Sequence, residues 1–357
     1  MMSVQQLNQR LEAYLGSLAL AIAVALTGCN QPEPASTPST VPASPAATVS
    51  TPTESKPRVV ATHNVLCDLT RTIAAETIDL TCLVQPGMDP HVYQPTPSDR
   101  QAIDSAQLVL YGGYDLEPSI EALIKASKGS ALKVAVSEQA VPKPLLGKAH
   151  DHGAHDHADK GHHDHHHHAE AETVPDPHVW HNAQNGIAMV KVIRDQLQKL
   201  APRHADQYRQ TSEQLIAQLT RLDQWIAEQI ATIPADRRKL VTTHDALSYY
   251  GQAYGIQILG TLQGLSTAEQ PTPTRLKQLV TEIKAAQVPT IFAERSTNDK
   301  VLGTLAREAK VTLSQQPINA DGLGQAESAT GTYIGMLATN TCTIVNGLGG
   351  ACRPFTP

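Results

Sequence analysis

Aromatic residues are scarce: two Trp, two Phe and nine Tyr in 357 positions. Any core must therefore be built mainly from aliphatic side chains, although the length allows two domains. There is no dense basic run, and 28 Lys+Arg against 34 Asp+Glu leave a net charge of -6. This excludes the electrostatic footprint of a protein that binds nucleic acid or an anionic membrane surface. No apolar stretch approaches the roughly 20 residues of a spanning helix, the longest candidate being 18–26. A His-Glu-x-x-His helix, a Gly-x-Ser-x-Gly elbow and a glycine-rich phosphate loop are all missing, so hydrolase and nucleotide-binding readings lack their parts. Hydrophobic residues still make up 41% of the chain, which excludes a wholly disordered or fibrous protein. What the chain has in excess is histidine: 16 in all, ten of them between His150 and His168.

The apolar stretch at 18–26 follows Arg10 and precedes Thr27-Gly28-Cys29. This is the layout of a signal peptide over 1–28, and Leu26-Thr27-Gly28-Cys29 resembles a bacterial lipobox in which Cys29 becomes the lipidated first residue. Residues 30–57 hold seven Pro and ten Ser/Thr in 28 positions and cannot form a core. With Cys29 they read as a tether over 29–57, spanning roughly 30 to 90 Å by coil or polyproline scaling. The expected location is extracytoplasmic, in the periplasm or at the cell surface, anchored by lipid. In that oxidising compartment Cys67, Cys82, Cys342 and Cys352 can form disulfides. Nearness in sequence suggests Cys67 with Cys82 and Cys342 with Cys352, but four cysteines allow three connectivities, and buried free thiols are the alternative.

From Arg58 onward, apolar runs alternate with amphipathic segments as in βαβ units. Strands are expected over 59–62, 78–84, 108–111 and 132–136, with helices over 66–75 and 118–126. Residues 183–231 carry no strand signal and read as two helices broken at Pro202. The second, over 204–230, would be roughly 40 Å long, enough to connect two lobes. A second alternation has strands at 240–243, 256–259 and 290–293, and helices at 246–254, 275–286, 300–310 and 332–345. The expected fold class is α/β: two lobes, each with a mainly parallel sheet, joined by one long helix. The divisions fall at 58–203, 204–231 and 232–357.

Open α/β sheets bind ligands beyond the carboxyl ends of their strands. Four residues stand there: His91 and His178, each in an Asp-Pro-His motif, His244 after a strand in Thr243-His244-Asp245, and Asp321 in Ala320-Asp321-Gly322. Proline fixes the backbone just before an imidazole in both motifs, and Asp245 is placed to cap the next helix. Three imidazoles and a carboxylate suit a divalent transition metal.

These residues carry a family resemblance. The two Asp-Pro-His motifs, Tyr93 with Pro95-Thr96-Pro97-Ser98-Asp99, His244-Asp245-Ala246 with Tyr250 and Tyr254-Gly255, Ser266 to Pro271, and Ala320 to Leu323 resemble the zinc- and manganese-binding solute receptors of bacterial ABC importers. The likeness covers about 58–355. It implies two lobes bridged by a rigid helix, with metal held in the cleft by His91, His178, His244 and Asp321 and delivered by a monomeric receptor to a membrane permease. His181 departs from the family pattern, which has an apolar or aromatic residue there, and is expected at the surface, a satellite metal contact being the alternative.

Family members with a carboxylate as third ligand are commonly manganese receptors, whereas this chain has His244. Imidazole-rich sites favour Zn2+, so Zn2+ is the expected cargo and Mn2+ the alternative. More remote are an adhesin and a zinc metalloenzyme; the latter needs an open coordination position that Asp321 would fill. Residues 149–172 interleave His150, His152, His155, His157, His162, His163, His165, His166, His167 and His168 with acids. This segment reads as an auxiliary, low-affinity metal collector, loading near neutrality and emptying in acid. Deleting residues 150–168 should lower the number of metal ions bound while sparing the tight site. Unchanged stoichiometry in equilibrium dialysis would remove the collector role.

Overall fold

A computed structural model describes residues 55–148, 173–295 and 300–356. The expected signal peptide, Cys29, most of the tether and the ten clustered histidines lie outside the described residues. Among those described, no helix is long and apolar enough to cross a membrane.

The first sheet is parallel, in the order β2 (Asp79–Cys82), β1 (Arg58–Ala61), β3 (Leu108–Tyr111), β4 (Leu132–Ala135). Its central strands β1 and β3 are apolar on both faces, as strands covered on both sides require. Val59, Ala61, Leu108 and Leu110 enter one buried cluster, and Val60 and Val109 enter another with Ile103, Ile120 and Ile124. This is the two-residue alternation of a strand. In the second half, β7 (Lys239–Thr242) pairs with β8 (Gln257–Thr261), and β9 (Thr290–Ile291) with β10 (Thr312–Leu313), all parallel. A hydrogen bond from Phe292 N to Val241 O, 3.0 Å, links the two pairs. The succession β8, β7, β9, β10 thus mirrors β2, β1, β3, β4, and the two lobes repeat one plan.

Helix α1 spans Asn64–Ala74, α2 Pro97–Ser105, α3 Pro118–Ala126, α4 Val136–Ala140, α5 Ala183–Leu200 and α6 Ala205–Ala231. Pro202 breaks α5 from α6 as expected, with a short 3-10 turn over Pro202–His204. Helix α6 buries Tyr208, Leu215, Leu219, Leu222, Ile226 and Ile230, a stripe at helical spacing that enters the same cluster as Val59, Leu66, Leu240 and Phe292. Polar bonds pin its length. Tyr208 Oη meets Thr77 Oγ1 at 2.7 Å, Thr211 Oγ1 donates to Ile73 O at 2.8 Å, and Gln229 Oε1 accepts from Arg353 N at 2.9 Å. Helices α7 (Ser248–Tyr254), α8 (Pro273–Ala286), α9 (Lys300–Ala309) and α10 (Tyr333–Gly347) complete the chain.

Five elements were not legible beforehand: α2, α4, β10, and the antiparallel pair β5 (Leu146–Lys148) and β6 (Thr173–Pro175). Each is short or polar, and its ladder or cap is supplied by neighbours. Disulfides join Cys67 to Cys82 and Cys342 to Cys352.

Leu219, fully buried on α6, faces the core shared by both halves. Leu219→Ala should cost about 2–5 kcal/mol. In urea unfolding this should appear as a lower midpoint with an unchanged slope. A midpoint equal to wild type would show that α6 is not part of that core.

Candidate metal centre

His91 lies on the connection from β2 to α2, which would be slack without its clamp. Thr96 caps α2: its hydroxyl accepts from Asp99 N, and Asp99 Oδ2 accepts from Thr96 N at 2.7 Å. Tyr93 Oη donates to the same carboxylate at 3.0 Å, so the Tyr93 to Asp99 motif stiffens the loop behind His91. Asp89 holds it from the other side. One carboxylate oxygen accepts from His91 N at 3.0 Å, and the other from Thr267 Oγ1, 178 residues on, at 2.5 Å.

The second Asp-Pro-His motif works similarly. Asp176 Oδ1 accepts both His178 N at 2.9 Å and His178 Nδ1 at 2.8 Å. His244 follows β7, and Glu294, just past β9, grips it in three places. Glu294 Oε1 accepts Thr243 N and His244 N, each at 3.0 Å, and its other oxygen takes His244 Nδ1. Asp245 does not cap the next helix as expected. Its carboxylate accepts from Ser248 Oγ at 2.8 Å, and α7 starts at Ser248 without a side-chain cap.

Asp321 sits on a loop pinned at both ends. Asn340 makes two bonds with Asn319, to its N at 2.9 Å and its O at 2.8 Å. Leu323 N donates to Asn64 Oδ1 at 2.8 Å. Gly322, with φ +149°, is needed here because a Cβ would collide with Asn64 Oδ1.

These supports bring one atom from each of four side chains together between the lobes: Nε2 of His91, His178 and His244, and Oδ1 of Asp321, all mutually within 4.8 Å. His91 to His178 is 3.1 Å and His178 to His244 3.4 Å. From Asp321 Oδ1 the imidazoles lie at 3.4 Å (His91), 3.6 Å (His178) and 3.0 Å (His244). A regular tetrahedron with edges in that range has its centre about 2.0 Å from each corner, the distance of Zn2+ from imidazole nitrogen. All four residues are buried, His178 and His244 completely.

His181 is not a surface residue. It is fully buried, and its Nε2 lies 2.7 Å from Ala320 O, next to Asp321. Trp180 packs between His178 and His181, with ring centroids 5.5 Å from each. His63 is also buried, packs tilted against Trp180 with ring centroids 5.4 Å apart, and burial pushes its imidazole pKa down to about 3. Glu294 went unread in the sequence, and His181 reads there as a surface residue. The available signal for Glu294 was an acid directly after an apolar strand, at the same edge as His244.

A profile of the family described as zinc-uptake complex component A, periplasmic (ZnuA), matches residues 59–347. The chain belongs to this family. It is 33% identical over 300 residues to the zinc-binding protein TroA of Treponema pallidum (strain Nichols), covering 83% of this chain and 90% of that protein. It is equally 33% identical over 296 residues to the manganese-binding lipoprotein MntA of Bacillus subtilis (strain 168), covering 82% and 89%. The solved structure of periplasmic zinc binding protein TroA from Treponema pallidum superposes with a TM-score of 0.72 at 32% identity, covering 82% of this chain and 99% of that one. The family is one of solute-binding receptors rather than enzymes.

Protons compete for this centre. Burial works to lower His244, but the charges of Asp321 and Glu294 and their hydrogen bonds outweigh it and hold the ring well above the usual imidazole range. His178 is raised likewise: burial is overcome by its bonds to Asp176 and Asp321. Burial alone would raise Asp321, yet the imidazoles around it hold it well below the ordinary carboxylate range. A cation entering the centre must therefore displace the Nε2 protons of His178 and His244, whose Nδ1 protons stay on the rings and are donated to Asp176 and Glu294 while Nε2 turns its lone pair inward. Because both rings are held above the ordinary imidazole pKa of about 6.5, metal affinity should rise as pH increases through and beyond that value, with proton release seen by calorimetry in buffers of different ionisation enthalpy. A flat profile would contradict this.

Proposed function

We propose that this chain captures Zn2+ through His91, His178, His244 and Asp321 and passes it to an ABC permease. The observation that supports this most is the close buried grouping of their four donor atoms, with five separations between 3.0 and 3.6 Å and all within 4.8 Å. Such a closed set of three nitrogens and one oxygen suits tetrahedral Zn2+. It leaves no open position for an activated water, which argues against catalysis. Mn2+ is the second reading, favoured by the likeness to the manganese-binding relative. Against it stand the preference of imidazole for zinc in the Irving–Williams order and the oxygen ligands that Mn2+ prefers.

In this reading Cys29 carries a lipid, residues 29–57 hold a monomeric receptor off the membrane, and lobes at 58–203 and 232–357 are joined by a helix at 204–231. The histidines between His150 and His168 collect metal nearby. Their segment leaves from β5 and returns through β6, which runs directly into Asp176 and His178.

Competitive equilibrium binding at neutral pH distinguishes the cargoes. Zn2+ should displace Mn2+ at equal concentration, and His244→Ala should abolish tight binding of both. Tighter binding of Mn2+ would overturn the zinc assignment.

A further inference from the structure

The geometry points to His181 as a positioning residue that locks the His178 segment to the Asp321 segment when metal is held, and so slows metal release. This rests on the four-ligand reading above. A carbonyl oxygen can only accept, so the 2.7 Å contact with Ala320 O requires the proton on His181 Nε2 and leaves the lone pair on Nδ1. Nδ1 finds no hydrogen-bond partner among the described residues, so this one bond is what the ring offers as polar chemistry. It spans 139 residues of sequence and ends one residue before Asp321. At the other end, His181 closes the 3-10 turn Val179–His181 that starts from His178.

The same turn is held by Tyr333 Oη, which donates to Trp180 O at 2.5 Å, so His181 acts from a fixed base. Both partners are out of water: His181 is fully buried and Ala320 1% exposed. The bond exists only while the two ligand-bearing segments lie together, and separating them lets water serve the carbonyl. Its contribution therefore falls on the closed state and on the rate of leaving it. An apolar ring of similar size would fill the space but leave a buried carbonyl without a donor.

The test uses the soluble full-length receptor carrying Cys29→Ser, loaded with Zn2+ and chased with excess chelator in stopped flow. His181→Phe should speed zinc release by about 5- to 100-fold, the range expected for one orphaned buried acceptor. His181→Gln, whose amide N–H can reach the same carbonyl, should return the rate to within about threefold of wild type. A merely structural role would make both variants equally fast. Release from His181→Phe at the wild-type rate while His244→Ala releases fast would overturn this inference alone. Wild-type release as fast as that of His244→Ala would overturn the four-ligand reading and this inference with it. Nitrogen-15 spectra of the wild-type histidines give a reading that needs no variant to fold: a protected Nε2 proton on His181 is expected, and an Nδ1 proton there would overturn the assignment.

Discussion

Everything in this molecule depends on keeping one carboxylate oxygen and three imidazole nitrogens within 4.8 Å of one another and out of water. Left alone, such a group is unstable: a buried Asp321 needs positive charge, and His91, His178 and His244 cannot all supply it as cations without repelling one another. Protons or a divalent cation resolve the conflict, and a divalent ion does so with all three rings neutral. The outer carboxylates make that second state accessible. Asp176 and Glu294 accept hydrogen bonds from Nδ1 of His178 and His244, fix the ring orientations and turn each Nε2 towards the centre.

The fold supplies the rigidity this needs. A four-stranded parallel sheet and two linked parallel pairs carry the ligands beyond their strands, on connections that neighbours clamp. Asp89 reaches from the His91 loop to Thr267, Asn64 reaches from α1 to Leu323, and Tyr333 reaches from α10 to Trp180. Helix α6 lies in the core that both halves share and is bonded to each along its length. A receptor must also let its cargo go. The bonds that cross between distant ligand-bearing segments are few and individually modest, which suits a centre that must open.

Much of this was legible in the amino-acid order. The apolar runs at Val59, Leu108 and Leu240 are doubly buried strands, Pro202 does break two helices, and the gap-free amphipathic stretch after it is the 27-residue α6. The four donor residues could be named because each follows a strand or a motif at a sheet edge, and the structure brings all four together. What could not be read had physical causes. Helix α2 is polar and owes its existence to a capping box. Strands β5 and β6 are three residues each and exist only by pairing with one another. His181 looked like a surface histidine because nothing local shows that Ala320, 139 residues away, supplies its acceptor. Glu294 is one acid among many until Thr290–Ile291 is placed beside β7.

The central claim is that one metal ion sits at the midpoint of His91, His178, His244 and Asp321. Anomalous scattering from crystals of protein purified without added metal, recorded at the zinc and manganese edges, tests it most directly. A single peak at the zinc edge, about 2.0 Å from all four donor atoms, is the predicted result; no peak between those side chains would contradict the account.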